Sequence, residues 1–158
     1  MAELEVHIED RVNLEVEAVG FLHEKVKFAN AGYPDRIYVV PGGAVVFLEY
    51  KRPGRLADPL QNYRIYQLLK RGIIAGWTDD SDTALRFLKT VMVTARLPEA
   101  GDWAATWASR WSSVSGSWIG QNFNLSRYIQ DLETAGVSIQ DAYYRPPTPL
   151  LRGMASRD

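Results

Sequence analysis

Cysteine is absent from the 158 residues, which excludes disulfides and every thiolate-held metal or cluster. Histidine is almost absent: His7 and His23 are too few for a histidine-rich zinc site. Any metal would therefore be a hard cation held by carboxylate oxygens. No apolar run is long enough to cross a bilayer, so no membrane partner is expected. The first twenty residues carry several acids instead of a basic stretch followed by an apolar one, and no secretory leader is expected. What is present is ordinary for a soluble globular chain, with 46% hydrophobic and 23% charged residues. The length suits one domain with its own core, with room for an appendage.

A net charge of −1 argues at first against a polyanionic partner, but the average conceals a pattern. Residues 1–50 hold four basic and nine acidic residues, a net −5. Residues 51–71 hold six basic residues (Lys51, Arg52, Arg55, Arg64, Lys70, Arg71) against Asp58 alone, a net +5. Residues 72–158, with eight basic and nine acidic, add −1. A basic stretch directly after an acidic one can be a phosphate-contacting rim beside a cation site, or simply a solvated helix face.

Periodicity gives the order of elements. Residues 3–19 read as an amphipathic helix with Leu4, Ile8, Val12 and Val19 near one stripe, although the alternation over 14–18 also suits a strand. Residues 24–28 alternate as a short strand. Over 35–51, two runs rich in β-branched and aromatic residues flank Pro41-Gly42-Gly43, as a β-hairpin requires. Pro53-Gly54 breaks the second strand, and residues 58–71 read as a helix with Asp58 or its predecessor at the start and Pro59 in its first turn. A short apolar strand over 73–77 and a helix over 80–90 follow. The expected fold class is α/β, an α-β-β-β-α-β order with a mixed sheet flanked by helices, over residues 1–94.

Residues 95–158 differ in character and read as a helical and irregular C-terminal extension. Trp103, Trp107 and Trp111 share one face if that segment is helical, a stripe suited to packing on the core or a partner chain more than to stacking on bases. A Ser/Gly-rich stretch, a helix over 126–135 and an irregular proline-containing tail complete the chain.

The residues that carry chemistry lie around the hairpin. Glu49 and Lys51 are two apart in a strand and share a face with Val45 and Phe47, while Val46, Leu48 and Tyr50 make the other face apolar too. A strand apolar on both faces belongs inside a layered sheet, where charges are costly unless paired or placed at an opening. With a three-residue turn at 41–43, paired residue numbers sum to 84 and Asp35 stands opposite Glu49. A two-residue turn would set Asp35 against Tyr50 instead. In the first register two carboxylates repel unless a divalent cation joins them. The alternative is that Asp35 pairs with Arg36 and Glu49 with Lys51.

The stretch from Gly32 to Gln61, GYPDRIYVVPGGAVVFLEYKRPGRLADPLQ, resembles the VRR-NUC branch of the PD-(D/E)xK, restriction-endonuclease-like nucleases. The resemblance rests on Gly32, Pro34, Asp35 and Arg36, then Glu49 and Lys51, then Arg52-Pro53-Gly54, then Gln61, and with its flanks covers roughly residues 20–90. Tyr50 departs from it, since the branch usually has a smaller or aliphatic residue there. The resemblance implies that Asp35, Glu49, Lys51 and Gln61 are catalytic. It implies Mg²⁺ or Mn²⁺ held by Asp35, Glu49 and the Tyr50 backbone carbonyl, with Glu9 as a further carboxylate. Lys25, Arg36, Arg52, Arg55 and Arg64 are the expected DNA contacts. It further implies a DNA endonuclease, selective for branched substrates such as Holliday junctions, acting as a homodimer in the cytoplasm of a bacterium or phage-infected host. The competing expectation is a non-catalytic subunit of the same fold that binds DNA structures.

Overall fold

The computed structural model describes residues 4–95 and 122–134. Its order is α1 (Glu5–Glu17), β1 (Leu22–Lys25), β2 (Arg36–Val39), β3 (Val45–Tyr50), α2 (Pro59–Lys70), β4 (Ile74–Thr78), α3 (Ser81–Ala95) and α4 (Leu125–Thr134). The four strands form one sheet in the order β1-β2-β3-β4, antiparallel through β3 and parallel between β3 and β4. The parallel pair requires a crossover, and α2 supplies it. The α/β architecture expected from the sequence is the one found: a mixed sheet flanked by helices.

Helix α1 buries Ile8, Val12 and Val16, spaced four apart, while Leu4 and Val19 of the expected stripe are exposed. The alternation at 14–18 is helical in fact, because Val16 is drawn into the core at helical spacing. Strand β1 lies two residues earlier than the expected 24–28. Its ladder ends where Arg36 begins β2, and the Val26 amide turns to the Asp35 carbonyl at 2.7 Å, closing a loop over 26–35.

Helix α2 starts as its residues dictate. The Asp58 side chain accepts from the Gln61 amide, Gln61 returns a bond to the Asp58 amide, and Pro59 occupies the first turn, where no donor is needed.

The core groups Ile8, Val12 and Val16 of α1 with Tyr38, Val46 and Leu48 of the sheet, Ile65 and Leu69 of α2, and Phe87, Leu88 and Val91 of α3. Phe123, Leu125 and Ile129 belong to the same cluster. Asn124 makes a parallel bridge to Trp77, the Phe123 carbonyl accepts from the Trp77 amide at 3.1 Å, and Trp77 Nε1 donates to Asn122 Oδ1 at 2.6 Å. The core thus runs across the boundary expected at 94/95, because the outer edge of β4 needs residues 122–124 to satisfy it. The tryptophan stripe at 103–111 and the proline tail lie outside the described residues. Among the described residues no helix is long and apolar enough to cross a membrane.

Candidate active site

The hairpin decides where the acids meet. Val40 and Ala44 close a three-residue turn through a 2.8 Å bond, and the β2–β3 pairs, from Val39↔Val45 to Arg36↔Leu48, all sum to 84. The next step of that register sets Asp35 opposite Glu49, and the Asp35 amide donates to the Glu49 carboxylate. Lys51 lies one residue beyond β3, its amide bonded to the Thr78 carbonyl at 2.9 Å, which extends the parallel ladder. Its Nζ is 3.8 Å from Glu49 Oε2. The Glu49 and Lys51 side chains are 14% and 19% exposed, and that of Asp35 is 42% exposed, so the acids line a shallow opening.

Helix α2 brings in the fourth residue. The capping box uses Gln61 Oε1 on the Asp58 amide at 3.0 Å, which leaves Nε2 to donate to Glu49 Oε2 at 3.3 Å. The residue that completes the capping box also orients the acid. Tyr50, by strand alternation, points to the opposite face, where its hydroxyl meets that of Tyr38 at 2.6 Å and Tyr38 reaches Asn13 Oδ1. The tyrosine that departs from the VRR-NUC pattern therefore fills the core and does not crowd the acids.

Burial, followed by the charge of Asp35, pushes the Glu49 carboxyl up to about 7; Lys51 and the Asp35 amide work against this, and Glu5 adds to it. Each acid has one ammonium beside it, Lys51 at 3.8 Å from Glu49 and the more exposed Lys25 at 3.7 Å from Asp35, yet the charge of Asp35 still raises the Glu49 carboxyl against the pull of Lys51. That donor set fits a hard divalent cation. Among the described residues no cluster of three or more metal-ligating side chains occurs. Two carboxylates and a backbone carbonyl, with water and phosphate oxygens completing the shell, match the way Mg²⁺ is commonly held. The Tyr50 carbonyl stands at the last β3–β4 pair, Tyr50↔Thr78, beside those acids.

The remaining expected residues are distributed unequally. Glu9, 8% exposed, binds Arg36 Nε at 2.6 Å, and the Arg36 guanidinium also lies 3.4 Å from His23 Nδ1. Burial disfavours the Arg36 charge, but the bond to Glu9 and its charge raise the guanidinium pKa above its usual value. This pair is an internal strut behind β2, and Arg36 offers little surface to a polyanion. Lys25 is at the mouth of the opening, with Nζ 3.7 Å from Asp35 Oδ2 and 64% of its side chain exposed. Arg52 and Arg55 are exposed on the turn after β3, without an ion pair among the described residues. That turn is held by Gly54 donating to Asp79 Oδ2 at 3.2 Å. Arg64, half-buried, lies instead against the loop before Asp35, with Nε donating to the Ala31 carbonyl.

Two further contributors have little or no signal in the sequence. The charge of Glu5 makes the smallest of the contributions that raise the Glu49 carboxyl, and its only trace in the sequence is its place one turn before Glu9 on the same helix. Asp79 holds the basic turn, and no local pattern marks it.

No family model matches the chain, and no curated protein matches it. A solved structure described as a VRR_NUC domain superposes with a TM-score of 0.50 and 23% identity, covering 54% of this chain and 94% of that one. The described sheet and its flanking helices thus share the fold of that VRR_NUC domain.

Proposed function

We propose that this chain is a divalent-metal-dependent endonuclease that hydrolyses DNA phosphodiester bonds, with Asp35, Glu49, Lys51 and Gln61 at its centre. The observation that carries the reading is the convergence of Asp35, Glu49, Lys51 and Gln61 at one opening of a VRR_NUC-like fold. Asp35, Glu49 and the Tyr50 carbonyl would hold Mg²⁺ or Mn²⁺. Such a cation polarises a phosphoryl oxygen and lowers the pKa of water. The Lys51 ammonium offsets charge developing on the phosphate and orients the attacking water. Gln61 keeps the Glu49 carboxylate turned toward the opening. Water oxygen bonds to phosphorus as the bond to the 3′ oxygen breaks, leaving a 5′-phosphate and a 3′-hydroxyl. Lys25, Arg52 and Arg55, on the two sides of the opening, are suited to neighbouring phosphates.

Selectivity for branched DNA, paired cuts by a homodimer and a cytoplasmic setting in a bacterium or phage-infected host are the finer parts of this proposal. Paired cuts need two sites, hence two copies. The test is cleavage of labelled four-way junction, linear duplex and single-stranded DNA in Mg²⁺, Mn²⁺ or EDTA, with wild type and Lys51→Ala. Metal-dependent paired cuts in the junction, lost in Lys51→Ala, support the whole reading. Equal cleavage of every substrate removes the selectivity and keeps the nuclease. Tight junction binding without cleavage in any metal overturns it in favour of a DNA-binding subunit.

A further inference from the structure

The loop over 26–34 ends at Asp35, so whatever fixes the loop fixes one of the two acids. Its base is closed by the Val26–Asp35 backbone bond. Its tip is held by α2. Arg64 Nε donates to the Ala31 carbonyl at 3.1 Å, and the guanidinium lies over the Tyr33 ring, 4.8 Å from its centroid. Gly32, at φ +92°, approaches the helix so closely that an added Cβ would come within 2.7 Å of Leu60 Cγ. Tyr33 packs on Phe28 with ring centroids 4.6 Å apart, and Phe28 reaches Phe47 at 6.0 Å, two residues before Glu49 on the same strand face.

Gln61 and Arg64 are three apart, neighbours on one helix surface. One binds the Glu49 carboxylate, and the other binds the loop that delivers Asp35. We infer that Arg64 is a positioning residue that sets the Asp35–Glu49 spacing by clamping the 26–34 loop to α2, and that it is not a phosphate contact. The chemistry favours this use of arginine. Only a planar guanidinium can donate in its plane to a carbonyl while its face covers an aromatic ring. A second donation, from Nη1 to Gln67 Oε1 at 3.0 Å, holds the plane in place.

The inference rests on the metal-site reading, and its test separates the two. Mn²⁺ binding by calorimetry and DNA binding in EDTA across a salt series would be measured for wild type, Arg64→Met, Arg64→Lys and Gly32→Ala. Removal of a group that orients metal ligands typically costs about tenfold or more in affinity. The expected result is Mn²⁺ affinity about tenfold weaker in Arg64→Met and several-fold weaker in Arg64→Lys, with the salt slope unchanged in both. Gly32→Ala, which alters no charge, should weaken Mn²⁺ in the same way by prising the loop from Leu60. Unchanged Mn²⁺ affinity in these variants, or a salt slope shallower by roughly 0.9 in Arg64→Met as loss of one phosphate contact would give, overturns the inference. Wild type that binds no Mn²⁺ removes the metal site itself, and the clamp with it.

Discussion

Replacing Glu49 with glutamine should make the metal-free protein more stable at neutral and alkaline pH, by an amount set by the burial of its carboxyl. The side chain is 14% exposed, faces Asp35, and has its carboxyl pushed from 4.5 to about 7. A difference of one pH unit between folded and unfolded chain corresponds to about 1.4 kcal/mol, so ionising Glu49 in the fold costs about 3 kcal/mol. The sign follows from proton binding. Between about 4.5 and about 7 the folded state holds the proton and the unfolded state has released it, so stability falls as pH rises through that window. Glutamine keeps an oxygen for the Gln61 and Asp35 donors and places no charge beside Asp35. Urea denaturation in EDTA at several pH values, for wild type and Glu49→Gln, isolates the effect. The variant's advantage should grow by about 3 kcal/mol between about pH 4.5 and pH 8, whatever constant offset arises from Lys51. A difference that is the same at both ends would refute the placement of Glu49 as a buried acid beside a second acid.

Further outcomes follow from the same geometry. Mg²⁺ or Mn²⁺ should raise the melting temperature more at pH 8 than at pH 5.5, because protons compete for Glu49, and Asp35→Asn should abolish that rise; calorimetric scans check both. Glu9→Ala leaves the Arg36 charge buried and unpaired and should cost about 3–5 kcal/mol in denaturant titrations, without needing metal to show it. Lys51→Met should reduce the cleavage rate by about two to three orders of magnitude while DNA affinity in EDTA stays near wild type, as electrostatic stabilisation of a transition state requires. Asp58→Ala removes the α2 cap and should cost about 1 kcal/mol in urea titrations.

Much of this arrangement is legible in the amino-acid sequence. The hairpin can be read because Pro41-Gly42-Gly43 separates two β-rich runs, and strand alternation alone puts Glu49 and Lys51 on one face. The α2 start is equally plain in Asp58, Pro59 and Gln61, whose capping chemistry is local. Such features depend on neighbours a few residues apart, and the chain carries them in any context. The tertiary structure decided the choice between a two- and a three-residue turn, and with it whether Asp35 meets Glu49 or Tyr50. It also drew Arg36 and Glu9 into an internal pair and laid Arg64 against the loop before Asp35. Finally, it brought Phe123 and Leu125 into a core that composition had assigned to residues 1–94. Each of these joins residues well separated in the chain, or depends on which face another element covers. Sequence patterns encode local periodicity and capping, whereas the partner of a charged side chain is selected by the packing that determines which of its options keeps contact with water.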